Sequence, residues 1–198
     1  MIISFEGGEG TGKSTYTELL CAHLDKYGLP RLSLREPGGS AFSEKVRGLF
    51  FHEDIDVMTE LLLVLSSRRE NIVKMITPAL SEGRIVIIDR FIDSTLAYQG
   101  VMGGLGVEKV RAVMEMTGTW LEPDLTIVLD IDPSVALERI VPGDKFELRG
   151  LAYHGRLRQA FLDLATGARH RVIDADRPRD LVSRDILSIV DEMTLKRR

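Results

Sequence analysis

Gly7-Gly8-Glu9-Gly10-Thr11-Gly12-Lys13-Ser14-Thr15 has the residue types and spacing to hold phosphate. It fits G-x-x-x-x-G-K-[ST], a phosphate-binding loop or P-loop. Glycines let successive backbone N–H groups turn inward around an anion without Cβ clashes. A helix starting near Lys13 adds the positive end of its dipole. Lys13 then reaches the outer phosphates of a nucleotide, and the Ser14 hydroxyl is suited to ligate Mg²⁺. The alternative is a Gly-rich turn before a helix. The apolar run Ile2-Ile3-Ser4-Phe5 before the loop and the helical spacing after it are the context that the phosphate-binding reading needs.

Charged residues follow other apolar, β-rich runs in the same way. Arg35-Glu36-Pro37-Gly38-Gly39 follows Leu32 to Leu34, and Asp89-Arg90 follows Ile85 to Ile88. Asp130 and Asp132 follow Thr126 to Leu129, and Asp174 follows Val172-Ile173. In open α/β sheets ligands bind at the carboxyl ends of the strands. Each of these charges is weak evidence alone; together with a P-loop at the same edge they outline a site.

The elements that must position them alternate. Helical spacing over roughly 13–26, 57–82, 107–117, 133–140, 155–167 and 179–196 separates the apolar runs. Over 179–196, Leu181, Val182, Ile186, Ile189, Val190 and Met193 form one face. Such alternation predicts the P-loop NTPase form of α/β fold, a five-stranded parallel sheet with helices on both faces. A length of 198 residues suits a single domain spanning 1–198. Pro142-Gly143-Asp144 is the clearest interior loop signal. Net charge is −4, which argues against coating nucleic acid, so any anion site must be built locally. The single cysteine, Cys21, excludes an internal disulfide framework and reads as a buried thiol on the first helix. Met1 leads straight into a strand with no signal peptide, and no apolar run has membrane-spanning length; a cytoplasmic protein without membrane contact is expected.

A P-loop names a nucleotide and leaves the reaction open among switches, motors and phosphotransferases. The N-K-x-D base-reading motif of guanine-nucleotide switches is absent, since the one asparagine, Asn71, lies in Arg68-Arg69-Glu70-Asn71. Arginines near the sheet edge suit a kinase in which cations offset repulsion between two anionic substrates. Over nearly its whole length the chain resembles the thymidylate kinases. The resemblance is carried by Phe5-Glu6-Gly7 with the P-loop, Arg35-Glu36-Pro37-Gly38-Gly39-Ser40, Glu44-Lys45-Val46-Arg47, Glu60 through Arg68, Asp89-Arg90-Phe91, Ser94 through Gly100, and Pro123-Asp124-Leu125-Thr126. The Arg-Glu-Pro-Gly-Gly and Ala-Tyr-Gln-Gly segments are specific together.

The resemblance implies phosphorylation of dTMP to dTDP with ATP as co-substrate and Mg²⁺, by a homodimer packed through helices. It implies that Lys13 and Arg90 act on the phosphates, with Asp89 orienting Arg90 or Mg²⁺-bound water beside Ser14. It implies Glu9 at the acceptor sugar, Arg47 at the acceptor phosphate, Arg68 at the thymine edge, and Thr95, Tyr98 and Gln99 lining the base and sugar pocket. Glu36 would position Mg²⁺ or order the arginines. Residues 139–150 resemble a lid of the lid-arginine type common in bacteria, whose cations here are Arg139, Lys145 and Arg149, with Arg158 as a second candidate on the next helix. The loop from Asp174 to Arg177 would carry the adenine.

Two positions depart from the pattern. Val64 stands where these enzymes usually carry a phenylalanine that stacks on thymine, and Lys145 stands where the lid often has arginine. A stack contributes about 0.5–1.5 kcal/mol beyond area burial, so weaker dTMP binding or a substitute ring such as Phe91 or Tyr98 is expected. A kinase for another deoxynucleotide such as dUMP, or a non-catalytic nucleotide-binding protein, are the competing readings. Val57, Leu61, Leu65, Ile72 and Met75 on the long helix fit either a dimer face or the core.

Overall fold

The computed structural model describes residues 1–52, 54–141 and 143–195. Pro142 and the last residues of the chain, from 196, therefore lie outside the described residues. Strands β1 (Ile2–Glu6), β2 (Arg31–Arg35), β3 (Ile85–Asp89), β4 (Leu125–Asp130) and β5 (His170–Asp174) form one sheet in the order β2-β3-β1-β4-β5. Every pairing is parallel, with Phe5 opposite Asp89 and Ile127, and Asp130 opposite Asp174. The sheet is covered on both faces, as the near-continuous apolar runs require. Alternation divides the strand residues between two cores. Ile3, Phe5, Ile85, Ile87, Ile127 and Leu129 pack with α1 (Lys13–Lys26) and α9 (Arg179–Leu195). Ile2, Leu34, Val86 and Ile88 pack with α3 (Val57–Asn71), α6 (Val107–Met116) and neighbouring helical segments.

The predicted helix at 57–82 is continuous in course but not uniform. After α3 the turns widen into a π-helical segment (Ile72–Ile76) before α4 (Thr77–Ser81), which Pro78 begins. Helices α7 (Pro133–Glu138) and α8 (Leu151–Leu164) complete the set, the latter beginning four residues earlier than its apolar spacing suggests. Two helical segments escape the periodicity reading. Helix α2 (Ala41–His52) buries Ser43, Val46 and Phe50 but exposes Phe42 and Leu49, and Gly48 weakens it as a helix. The short α5 (Ile92–Thr95), with Asp93, Ser94 and Thr95 buried, runs into a second π-helical segment (Leu96–Met102) that buries Gln99. π-Helical turns occur frequently at functional sites, and this one carries Tyr98 and Gln99.

Glu6, Arg35, Asp89, Asp130 and Asp174 are the terminal residues of the five strands. One sheet edge thus receives a charge from each pass of the chain.

Candidate active site

The P-loop leaves β1 and ends at Gly12, whose φ of 93° lets the chain turn into α1. At Gly10 (φ 70°) a Cβ would meet the Ala136 carbonyl oxygen at 2.0 Å, so the loop can only run this close to α7 with glycine there. Lys13 opens α1. Its buried Nζ donates to the carbonyls of Gly7 (3.1 Å) and Gly8 (2.5 Å). Burial, and then the charge of Arg90, push the Lys13 pKa down to about 8.

Arg90 takes φ 66°, in the left-handed region where non-glycine residues are uncommon. Its backbone N–H donates to Phe5 O at 2.9 Å, which fixes the turn out of β3. Its guanidinium then spans the site, donating to Gly7 O at 3.0 Å and to Glu9 Oε2 at 2.7 Å. The Tyr98 hydroxyl donates to the other Glu9 oxygen at 2.6 Å, and the Arg90 guanidinium lies 5.3 Å from the Tyr98 ring centre. Burial alone would raise the Glu9 pKa, but the charges of Arg90 and Lys13 outweigh it and hold the carboxyl at about 2. Burial also opposes the Arg90 charge, and Glu9 more than compensates, so the Arg90 pKa is raised.

Glu6, fully buried at the end of β1, supports this turn from behind. It accepts from Phe91 N at 2.9 Å and from the Ser94 hydroxyl at 2.5 Å. Burial, and then the charge of Asp93, push its carboxyl up to about 7.

The Ser14 hydroxyl donates to Asp89 Oδ2 at 2.7 Å. Among the described residues no group of three or more His, Cys, Asp or Glu side chains converges on a metal site. A hydroxyl and one carboxylate are a fitting donor set for Mg²⁺, which keeps several waters and is otherwise held by substrate phosphates.

A cavity of about 700 Å³ joins these groups to a second set on α2, α3 and the Leu96–Met102 segment. Glu9 to Thr15, Glu36, Arg47, Val64, Arg68, Asp89, Arg90, Thr95, Tyr98, Gln99 and Arg139 all line it. Arg68 is only 1% exposed. It donates to Glu36 Oε2 (2.7 Å), Thr95 Oγ1 (2.8 Å), Phe91 O (3.0 Å) and the Met114 sulfur (3.2 Å). Four of the five guanidinium N–H groups are thereby used by the protein. The Glu36 side chain thus holds Arg68, while its backbone N–H donates to Asp89 O at 2.9 Å. Arg47 donates to Pro37 O at 2.8 Å and stacks on Phe51 at 4.7 Å.

The lid cations separate. Arg139 lines the cavity and donates to Ala175 O at 3.3 Å, near the Asp174–Arg177 loop. Lys145 turns its Nζ to Glu60 Oε1 on α3, 2.6 Å away, and Arg149 lies against Tyr153 at 5.3 Å; neither lines the cavity. Arg158 is engaged by both oxygens of Asp130 at 2.6 and 2.9 Å. Gly7 and Gly8 line a small hollow behind the loop.

Several cavity residues were not singled out by sequence. Phe50 and Phe51 belong to the unpredicted α2, and Phe146 carried no signal beyond its place in the lid segment. Asn71, whose sequence context excludes a base-reading motif, has a structural role. Fully buried, it donates to Gly38 O (2.7 Å) and accepts from Ser40 N (3.2 Å) and the Ser43 hydroxyl (3.0 Å). It therefore clamps the Arg-Glu-Pro-Gly-Gly loop.

Residues 5–186 match the family model described as thymidylate kinase. The thymidylate kinase of Symbiobacterium thermophilum is 42% identical over 204 residues, spanning 100% of this chain and 95% of that one. That of Synechococcus sp. is 44% identical and spans 89% of this chain and 87% of its own. The crystal structure of thymidylate kinase from Ehrlichia chaffeensis superposes with a TM-score of 0.80 at 32% identity, covering 96% of this chain and 98% of that one.

Proposed function

The chain belongs to the thymidylate kinase family, and from that premise we propose that it transfers the γ-phosphoryl group of ATP to the 5′-phosphate of dTMP. One observation carries the reading at the level of the site. A single cavity is lined on one side by the P-loop and on the other by Arg47, Arg68, Tyr98 and Gln99, with Arg90 spanning between Gly7 O and Glu9. Two phosphate esters brought into such a cavity repel each other. Lys13 and Arg90 offset that repulsion and stabilise the charge that develops on the transferring group. Arg90 is the better bridge, because a planar guanidinium addresses two phosphate oxygens at once. Positioning and charge do the work, with no covalent intermediate.

Glu9, fixed by Arg90 and Tyr98, offers carboxylate lone pairs to the acceptor sugar. Arg47 takes the acceptor phosphate, and Arg68 takes the base. Ser14 and Asp89 would hold Mg²⁺, which would neutralise charge on the ATP phosphates. Arg139, beside the Asp174–Arg177 loop, is the lid cation placed for ATP. The reaction belongs in the cytoplasm, where both nucleotides are available, and no helix among the described residues is long and apolar enough to cross a membrane.

The working unit is a homodimer. Leu61, Leu65 and Ile72 are buried in the chain's own core and Met75 packs against it, so they cannot form the partner face. The exposed stripe of α3 and its π-helical extension, Leu62, Ser66, Arg69 and Val73, is the face available.

A coupled ADP-release assay with dTMP, dUMP, dCMP and dGMP tests the acceptor assignment. dTMP should give the highest kcat/KM, and Lys13→Ala should remove acceptor-dependent turnover. Equal turnover on dUMP, or turnover that persists in Lys13→Ala, would refute it.

A further inference from the structure

Phe146 is buried to 7% exposure, although it comes from a segment rich in charge and glycine. Its ring lies nearly parallel to Phe50 (centres 5.7 Å apart, planes at 24°) and edge-on to Tyr98 at 5.2 Å. It packs in one cluster with Val64 and lines the cavity. Val64, with only two methyl groups, offers no flat face to a planar base. The ring beside it lines the cavity as an aromatic surface, with Phe50 stacked on it and Lys145 Nζ 5.3 Å from its centre.

The segment around Phe146 is built to hold this position. Asp144 Oδ1 accepts from Phe146 N (2.8 Å) and Glu147 N (3.0 Å), and Glu147 Oε2 accepts from Gly143 N (2.6 Å). Lys145 ties the turn to α3 through Glu60, whose other oxygen accepts from the Gln99 amide at 3.1 Å. The same carboxylate thus anchors the turn and a residue of the cavity wall.

We propose that Phe146 is the aromatic wall of the acceptor-base subsite, a specificity-determining residue supplied by the segment after Gly143 rather than by α3. This rests on the reading that the Arg68–Tyr98–Gln99 end of the cavity takes the acceptor. It makes Val64 and Phe146 a complementary pair, one small because the other is large.

Calorimetric binding of dTMP and, separately, of a non-hydrolysable ATP analogue to the full chain tests it. Phe146→Ala should weaken dTMP binding about tenfold, equivalent to about 1.4 kcal/mol, and leave the ATP analogue within about twofold. Adding Val64→Phe to Phe146→Ala should restore dTMP binding to within about threefold of the parent, a rescue that a merely structural role would not give. Phe146→Leu keeps bulk but loses the aromatic face. It should cost at least threefold in dTMP affinity, about 0.65 kcal/mol, and decides the matter if the alanine variant does not fold. Unchanged dTMP binding in the folded variants, or equal loss of both ligands, would overturn the proposal. Failure of the acceptor reading looks different: the parent chain itself would not bind dTMP.

Discussion

Lys13 and Glu9 share one buried cluster yet are tuned for charge by different means. Glu9 is fixed as a carboxylate at about 2 because two cations face it. Lys13 is lowered to about 8 because burial and Arg90 both disfavour its proton. The free protein therefore loses that proton as pH rises through about 8, whereas an unfolded lysine keeps it to its ordinary 10.5. Two consequences follow in opposite directions. Between these values the unfolded chain binds the extra proton, so the Lys13 contribution to stability rises with pH. ATP affinity does the reverse, because phosphates need the ammonium. It should be flat below pH 8 and fall above it, by up to about tenfold per pH unit while bound nucleotide keeps Lys13 protonated. Titrations of an ATP analogue from pH 6.5 to 9.5 check this, and Lys13→Ala should abolish the inflection along with most of the affinity. Arg90 shows a different kind of tuning. Its φ of 66° costs on the order of 1–3 kcal/mol, and the bonds to Phe5 O, Gly7 O and Glu9 hold it there.

Elements matter here through what they clamp. Helix α3 ends at Asn71, whose amide holds Gly38, Ser40 and Ser43, and so sets the loop whose Pro37 carbonyl receives Arg47. Asn71→Ala would leave buried backbone groups unsatisfied at a cost of about 2 kcal/mol. For a domain of this size the melting temperature should fall by roughly 4–8 °C, and KM for dTMP should rise while KM for ATP holds. Glu18→Ala, exposed on α1 away from the cavity, should leave all three unchanged. Melting curves and two-substrate kinetics read both variants. Nothing in the spacing of the sequence announces this clamp, because a lone asparagine in a helical stretch has no local signature. The strands were legible for the opposite reason. Burial on both faces of β1, β3 and β4 leaves near-continuous apolar runs, and the P-loop and Asp89-Arg90 stand directly at the ends of two of them. Helix α2 was not legible, since Phe42 and Leu49 point outward and blur its apolar stripe. The Ile92–Met102 stretch was not either, because its inward side is polar and serves the site. Periodicity found Leu61, Leu65 and Ile72 as one face but could not say what the face meets; the answer is the sheet.

At the scale of the whole molecule, a chain of net charge −4 concentrates cations in one cavity, where Lys13, Arg47, Arg68, Arg90, Arg139, Arg177 and Arg179 all take part. That concentration attracts anionic substrates while the rest of the surface stays acidic. Helix α3 contributes Val64 and Arg68 to the cavity wall and presents Leu62, Ser66, Arg69 and Val73 outward. The outward set recurs at helical spacing and forms a stripe, with Leu62 54% and Val73 47% exposed at its ends. Helix α2, packed against α3, adds exposed Phe42 and Leu49. A second copy covering this stripe by twofold symmetry would buttress the helix that carries the acceptor wall. Leu62→Asp with Val73→Asp puts like charges into such an interface without touching the cavity. Light scattering at micromolar concentration should then show the mass of one chain instead of two. The monomer should lose more in KM for dTMP than in KM for ATP, because α3 serves the acceptor side and the P-loop stands on β1 and α1. A parent chain that is already monomeric, or a double variant that keeps the parent's mass, would place the homodimer contact elsewhere or deny it.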